Sequence, residues 1–239
     1  MNALLRRILL VAALLAPFGL PGAAAAVDRP DPARFESEIR AFEVADSTAS
    51  TPRGAVVFYG SSSLRMWHPR LAADFPQLTA VGRGFGGSTM GEAVHFLPRA
   101  VAPLAPRAVV LYEGDNDIEM GLTPDQVMAD FDTLLARLWR ATPDARVYLV
   151  AIKPSGARWE RWSAMQETNR RFAERCKRDQ KRLAYVDVAT PMLGKDGRPR
   201  PELFLEDRLH LNAAGYDLWR NIVGKALQPE LRFEKAAGG

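Results

Sequence analysis

Cysteine and histidine are scarce in this sequence. A single cysteine, Cys176, stands among 239 residues. It permits no internal disulfide, so the fold must hold by its core. It falls at helical spacing with Met165 and Phe172, which gives it a small, buried, apolar role. Histidine occurs three times, as His68, His95 and His210. No H-E-x-x-H pair, no Walker glycine loop and no Cys/His cluster is present. Neither a metal nor a cofactor is therefore expected. Internal repeats and low-complexity tracts are lacking, and no long apolar run occurs after residue 26.

Charge of one sign is not in large excess. Lys and Arg number 32 against 28 Asp and Glu, for a formal net charge of +4. Arg6 and Arg7 belong to "MNALLRRILLVAALLAPFGLPGAAAA". This stretch has a basic start, an apolar run from Ile8 to Leu15, and small residues at Ala24-x-Ala26. It reads as a signal peptide over 1–26, cleaved near Ala26. The apolar run is too short to span a membrane, and Pro17 and Pro21 break the residues beyond it. The expectation is an exported protein, periplasmic or secreted, with one domain over 27–239. The basic residues left are scattered, apart from "NRRFAERCKRDQKR" (Asn169 to Arg182). That cluster reads as a solvated helix face, so no nucleic-acid partner is expected.

After a polar entry segment with one helix over about Pro32 to Ala45, the chain alternates. Apolar, β-branched runs stand at Ala55–Tyr59, Leu78–Val81, Ala108–Tyr112, Val147–Ile152 and Leu183–Val188. Their near-continuous apolar character predicts strands buried on both faces of a parallel sheet. Thr123 with Pro124 opens one helix, whose buried stripe is Val127, Phe131, Leu134, Leu135 and Leu138. Met165, Phe172 and Cys176 mark a second. Asn212 caps a third, with Trp219, Ile222, Val223, Ala226 and Leu227 as its stripe. Strand–helix alternation implies an open α/β sheet with right-handed crossovers. The working site of such a sheet lies at the carboxyl ends of its strands.

The residues after each strand are therefore the candidates. They are Gly60-Ser61-Ser62-Ser63, "GRGFGGST" from Gly82, "EGDNDIEMG" from Glu113, "KPSGARWERW" from Lys153 and "FLEDRLHLNAAGY" from Phe204. A serine needs a base to act as a nucleophile. His210 stands three residues after Asp207, so a turn can set the carboxylate beside one ring nitrogen and leave the other for a serine. Acyl transfer also needs donors for an oxyanion. A turn at Gly86-Gly87 can present backbone N–H groups, and Asn116 can present an amide.

In order, these blocks resemble the SGNH (GDSL-type) hydrolases: Gly-x-Ser, a glycine-rich block, Gly-x-Asn-Asp and Asp-x-x-His, spanning about Val56 to Tyr216. The resemblance implies a three-layer, flavodoxin-like α/β fold with a five-stranded parallel sheet and helices on both faces. It implies a carboxylic ester hydrolase with Ser62 as nucleophile and Asp207 and His210 completing a triad. The Ser62 and Gly87 N–H groups and the Asn116 amide would form the oxyanion hole. Ser61 stands where the family usually has Asp, and Gly82 where Asn is common, which leaves the substrate class open. Implied substrates are acetylated carbohydrate, short-chain esters, lysophospholipid or thioesters. The spacing holds no cap domain for a long chain, so short acyl groups are favoured.

Competing readings exist for single motifs. Gly82-x-Gly84-x-x-Gly87 matches a dinucleotide fingerprint, but no Asp or Glu occurs from Ala93 to Tyr112 to hold a ribose. The acids after the third strand invite a calcium loop, but Met120 stands where such a loop needs Gly. His68 and His95 read as structural. Arg65, Trp67, Trp159 and Trp162 are candidates for a substrate pocket, with core packing the alternative for the tryptophans. A catalytically inactive ligand-binding module on the same fold is the remaining alternative.

Overall fold

The computed structural model describes residues 28–49 and 51–237. The signal peptide expected over 1–26 lies outside them. At the centre is a parallel sheet of five strands: β1 Val56–Gly60, β2 Ala80–Gly84, β3 Ala108–Tyr112, β4 Arg146–Val150 and β5 Leu183–Val186. Their spatial order is β2-β1-β3-β4-β5. Val56 pairs with Ala80 on one side and Ala108 on the other, which makes β1 an inner strand. β1 and β3 are buried along their whole length, as their unbroken apolar runs require. β2 runs further than the apolar signal predicts. Its later part is Gly82-Arg83-Gly84, and buried Arg83 is admitted because it pairs with Asp46 and donates to the Ala100 and Gly82 carbonyls.

The helices, in chain order, are α1 Glu36–Thr48, α2 Ser62–Trp67, α3 Leu71–Asp74, α4 Met90–Ala100, α5 Asp115–Glu119, α6 Pro124–Ala141, α7 Trp162–Lys177, α8 Ala213–Ala226 and α9 Gln228–Ala237. From β1 the chain steps outward to β2, then returns past β1 to β3. This reversal puts successive right-handed crossovers on opposite faces. α1 packs on α4, α4 on α6 and α6 on α7 as one layer. On the other face Trp67 of α2 meets Trp219 of α8, ring centroids 5.9 Å apart. Adjacent strand residues obey the alternation: Phe58 packs on Trp67 and Phe75, and Tyr59 on Phe85. The three-layer architecture is the expected one.

The caps agree with the sequence signals. Thr123 and Gln126 form a capping box with Pro124 in the first turn, and the Asn212 side chain accepts from the Gly215 N–H. A second capping box, Thr89 with Glu92, starts α4. Cys176 is buried, and burial pushes its thiol up to about 12. The basic cluster of α7 is a salt-bridged outer face: Arg170, Arg171 and Arg175 pair with Glu167, Glu174, Asp125 and Asp132.

Candidate active site

β1 ends on Gly60, whose φ of +141° and contact with β3 both exclude a side chain; a Cβ there would stand 2.1 Å from the Tyr112 carbonyl oxygen. The Ser61 N–H donates to that oxygen at 3.1 Å, and α2 begins at Ser62. The three serines then part. Ser61 and Ser63 are each 1% exposed, and Ser62 is half-buried. The Ser62 N–H lies in the first helical turn, has no carbonyl four residues back, and donates to no protein acceptor among the described residues.

Asp207 and His210 occupy one turn between Leu205 and α8. The Leu205 N–H donates to the His210 carbonyl at 2.8 Å, and Arg208 turns the corner at φ +54°. Asp207 Oδ1 accepts from the Leu209 and His210 N–H groups, each at 2.9 Å. Its Oδ2 lies 2.6 Å from His210 Nδ1. His210 Nε2 lies 3.1 Å from Ser62 Oγ. An ionised carboxylate on Nδ1 fixes the proton there, so Nε2 is the nitrogen left to accept from the serine hydroxyl. Burial works to raise the Asp207 carboxyl. The bonds from His210 and the two backbone amides outweigh it and hold the group at about 2.

The second block supplies a loop with φ +87° at Gly87, whose N–H has no protein acceptor among the described residues. Behind the loop, Arg34 donates to the Gly87 carbonyl at 3.0 Å and clamps Glu92 at 2.6 and 2.7 Å. Glu92 also accepts from the Thr89 N–H at 3.0 Å, so the loop is tied to the start of α4. From α5, buried Asn116 donates through Nδ2 to the Ser88 carbonyl at 2.8 Å and accepts through Oδ1 from Arg158 at 2.9 Å.

A charged group underlies Asn116. Asp115 accepts from Lys153 Nζ at 2.7 Å, from Arg158 Nη1 at 2.6 Å and from the Tyr112 hydroxyl at 2.9 Å. Burial would raise its carboxyl, but the two cations bring it down to about 2. Next to it, Glu113 is buried, accepts from Ser88 Oγ at 2.6 Å, and is driven well above the carboxylate range by burial and the nearby Asp117. Burial pushes Asp117 up to about 7, against the bonds it accepts from the Met90 N–H. Among the described residues no three His, Cys, Asp or Glu side chains converge as metal ligands.

Several expectations need correction or completion. Trp67 does not line a pocket: it is 0% exposed, packed on Phe58, Phe75, Tyr216 and Trp219, with its indole N–H on Asp74 at 2.6 Å. Trp162 is also buried, stacked on half-buried Trp159, which in turn carries Arg198 on its ring. Arg65 is exposed and holds no acidic partner among the described residues; its guanidinium lies over Gly86. The glycine fingerprint serves packing. A Cβ on Gly82 would strike the His68 ring at 2.6 Å, and one on Gly84 the Arg65 backbone at 2.1 Å. Arg34 and Glu92 lie outside the candidate blocks of the sequence, and Asp115, Lys153 and Arg158 lie inside them without an assigned role. The Thr89–Glu92 capping spacing is a signal for Glu92; the ion pairs carry none, because their partners lie 38 to 58 residues apart.

A 2-1-3-4-5 parallel sheet with its polar groups gathered at the carboxyl edge, where the strand order reverses, is the frame of the SGNH-type hydrolases. The chain matches the GDSL-like lipase/acylhydrolase family over residues 46–218 and belongs to it. It is a carboxylic ester hydrolase of that family. Its structure is similar to that of a GDSL-like lipase from Bacteroides thetaiotaomicron, with TM-score 0.67 and 23% identity over 84% of this chain and 98% of that one. It is similar to an acetyl xylan esterase, with TM-score 0.60 and 19% identity over 72% of this chain and 98% of the other. A catalytic mutant of an acetylxylan esterase from Geobacillus stearothermophilus gives TM-score 0.59 and 15% identity over 74% and 95%. At these identities the likeness is one of fold. Comparison with curated proteins finds no match.

Proposed function

We propose that this protein is an exported serine esterase that removes short acyl groups, acetyl foremost, from carbohydrate or other small alcohols. The observation that carries the reading is His210, within hydrogen-bond distance of Ser62 Oγ on one nitrogen and Asp207 on the other. His210 takes the Ser62 proton as Oγ attacks the ester carbonyl. The developing oxyanion is met by the Ser62 and Gly87 N–H groups and the Asn116 amide. His210 then protonates the leaving alcohol, and water repeats the cycle on the acyl-enzyme. One domain over 27–239 remains after cleavage of the leader near Ala26.

The open setting of the site supports small acyl groups. Ser62 is half-buried, and the His210 side chain is 25% exposed, so among the described residues no cover shields a long chain. The acetylxylan esterases of like fold make acetylated xylo-oligosaccharides the first substrates to try. Among the described residues no helix is long and apolar enough to cross a membrane.

The test is hydrolysis of chromogenic esters from acetyl to decanoyl, beside acetylated xylo-oligosaccharides, by the wild type and Ser62→Ala. Turnover should be greatest at the short end and lost in the variant, with folding intact. Full activity in Ser62→Ala would overturn the nucleophile. Inactivity of the wild type on all of them would favour the ligand-binding module.

A further inference from the structure

The charges beneath Asn116 do not balance. Asp115 is one carboxylate between two cations, Lys153 and Arg158. Lys153 is buried and has only Asp115 and the Tyr112 hydroxyl as hydrogen-bond partners among the described residues. The other acid near Arg158 is Glu119, 3.9 Å from its Nε and 44% exposed, where water screens the pair. A structural tie between the loops after β3 and β4 needs one cation on Asp115. Buried Glu113, beside Asp115, is held protonated and supplies no counter-charge, so the second cation leaves about one positive charge in excess, and Arg158 turns it toward Asn116.

Arg158 Nη2 donates to Asn116 Oδ1 at 2.9 Å. The amide cannot be reversed: a guanidinium only donates, and the Ser88 carbonyl, at 2.8 Å from Nδ2, only accepts. With both ends held, the plane of the amide is set and one N–H of Nδ2 is left over. A cation on the amide oxygen also draws electron density from the nitrogen and makes that N–H a stronger donor.

We propose that Arg158 is a positioning residue of the oxyanion hole: it holds the Asn116 amide by its oxygen so that the remaining N–H serves the oxyanion, and it brings an uncompensated positive charge within one hydrogen bond of that site. This rests on Asn116 being an oxyanion donor, as in the proposed function. Arg158 acts more strongly as charge builds on the substrate oxygen, so its effect falls on kcat and little on KM.

The experiment is a double-mutant cycle on acetyl ester hydrolysis, with Arg158→Gln, Arg158→Lys, Asn116→Ala and the two double variants. Circular dichroism and thermal melts check the fold. Arg158→Gln should lower kcat roughly 10–100-fold, less than the 10²–10³-fold expected for loss of the donor itself. Arg158→Lys should fall between wild type and Gln, because an ammonium keeps the charge but lacks the planar two-nitrogen fork that Arg158 sets on Asp115 and Asn116. In the Asn116→Ala background either Arg158 change should cost under about 3-fold. Equal losses in both backgrounds would make Arg158 a structural tie and overturn the proposal. So would wild-type kcat in Arg158→Gln, or in Asn116→Ala. If Arg158→Gln does not fold, Arg158→Lys carries the same cycle. Failure of the esterase reading itself is separate, because it appears as activity retained in Ser62→Ala.

Discussion

The backbone nitrogen of Arg65 lies against the Cα of Gly84, so closely that a Cβ on Gly84 would come within 2.1 Å of it. The first turn of α2 thus rests on the last residue of β2. The same contact brings the Ser62 end of α2 beside the Gly86-Gly87 loop, where the Arg65 side chain lies over Gly86. Two neighbouring backbones have to move before any side chain fits. Gly84→Ala should therefore cost more than about 3 kcal/mol in urea unfolding and lower esterase activity at any temperature. Gly121→Ala is the control: its φ is +92° but nothing lies within 4 Å of a Cβ there. It should cost only about 1–2 kcal/mol from backbone strain. Equal losses would mean that the Gly84 contact relaxes freely.

Asp207 is unlike a buried triad acid. Its side chain is 46% exposed, so solvent can reach His210 Nδ1 when the carboxylate is removed. Asp207→Ala should lower kcat by about 10²–10⁴, clearly less than His210→Ala, which removes the proposed base. Steady-state kinetics of the two variants on one acetyl ester decides this. Equal losses would mean that Asp207 alone sets the ring's place.

Asp117 makes stability depend on pH in a stated direction. Burial raises it from 3.8 to about 7, helped by the charge of Asp130, while the bond it accepts from the Met90 N–H opposes the rise. Folding favours its protonated form. That contribution is fully present below about pH 4 and is lost as pH rises through about 7. Asp117→Asn keeps an oxygen for the Met90 N–H and has no proton to lose. Its melting temperature should match the wild type near pH 4 and exceed it increasingly toward pH 8, by at most about 4 kcal/mol in stability. Glu113, raised by burial and by the charge of Asp117, is eased in the same direction when that charge is removed, so the pH-dependent gain belongs to the pair. A difference that does not change with pH would remove Asp117 from the titration.

Trp67 separates packing from substrate contact. It is enclosed by aromatic rings and bonded to Asp74. Trp67→Ala should cost about 3–5 kcal/mol of stability and leave the KM for an acetyl ester unchanged at a temperature where the variant is folded. A raised KM with little loss of stability would return Trp67 to the substrate pocket.

Much of the fold is legible in the chain itself. The strands β1, β3, β4 and β5 declare themselves by unbroken apolar runs, and Thr123-Pro124 and Asn212 by cap chemistry. β2 reads short because Gly82-Arg83-Gly84 carries no apolar signal; its glycines serve the close approach of α2, and Arg83 is buried through Asp46 and the Ala100 and Gly82 carbonyls. α4 shows in the apolar pattern as no more than a short segment around His95, although the Thr89–Glu92 capping box marks its start.

The sequence by itself determined the alternation of strands and helices, the caps, the buried Cys176, and the polar blocks after each strand. These depend on spacing and propensity over a few residues, which the chain displays directly. The fold decided which serine is open, by burying Ser61 and Ser63. It decided that Trp67 is core and that Asn116 is held by Arg158 over a pair of cations sharing Asp115. Those outcomes depend on crossover direction and on the register that brings β1, β3 and β4 side by side. Burial and charge pairing between residues some forty positions apart exist only once the sheet has formed.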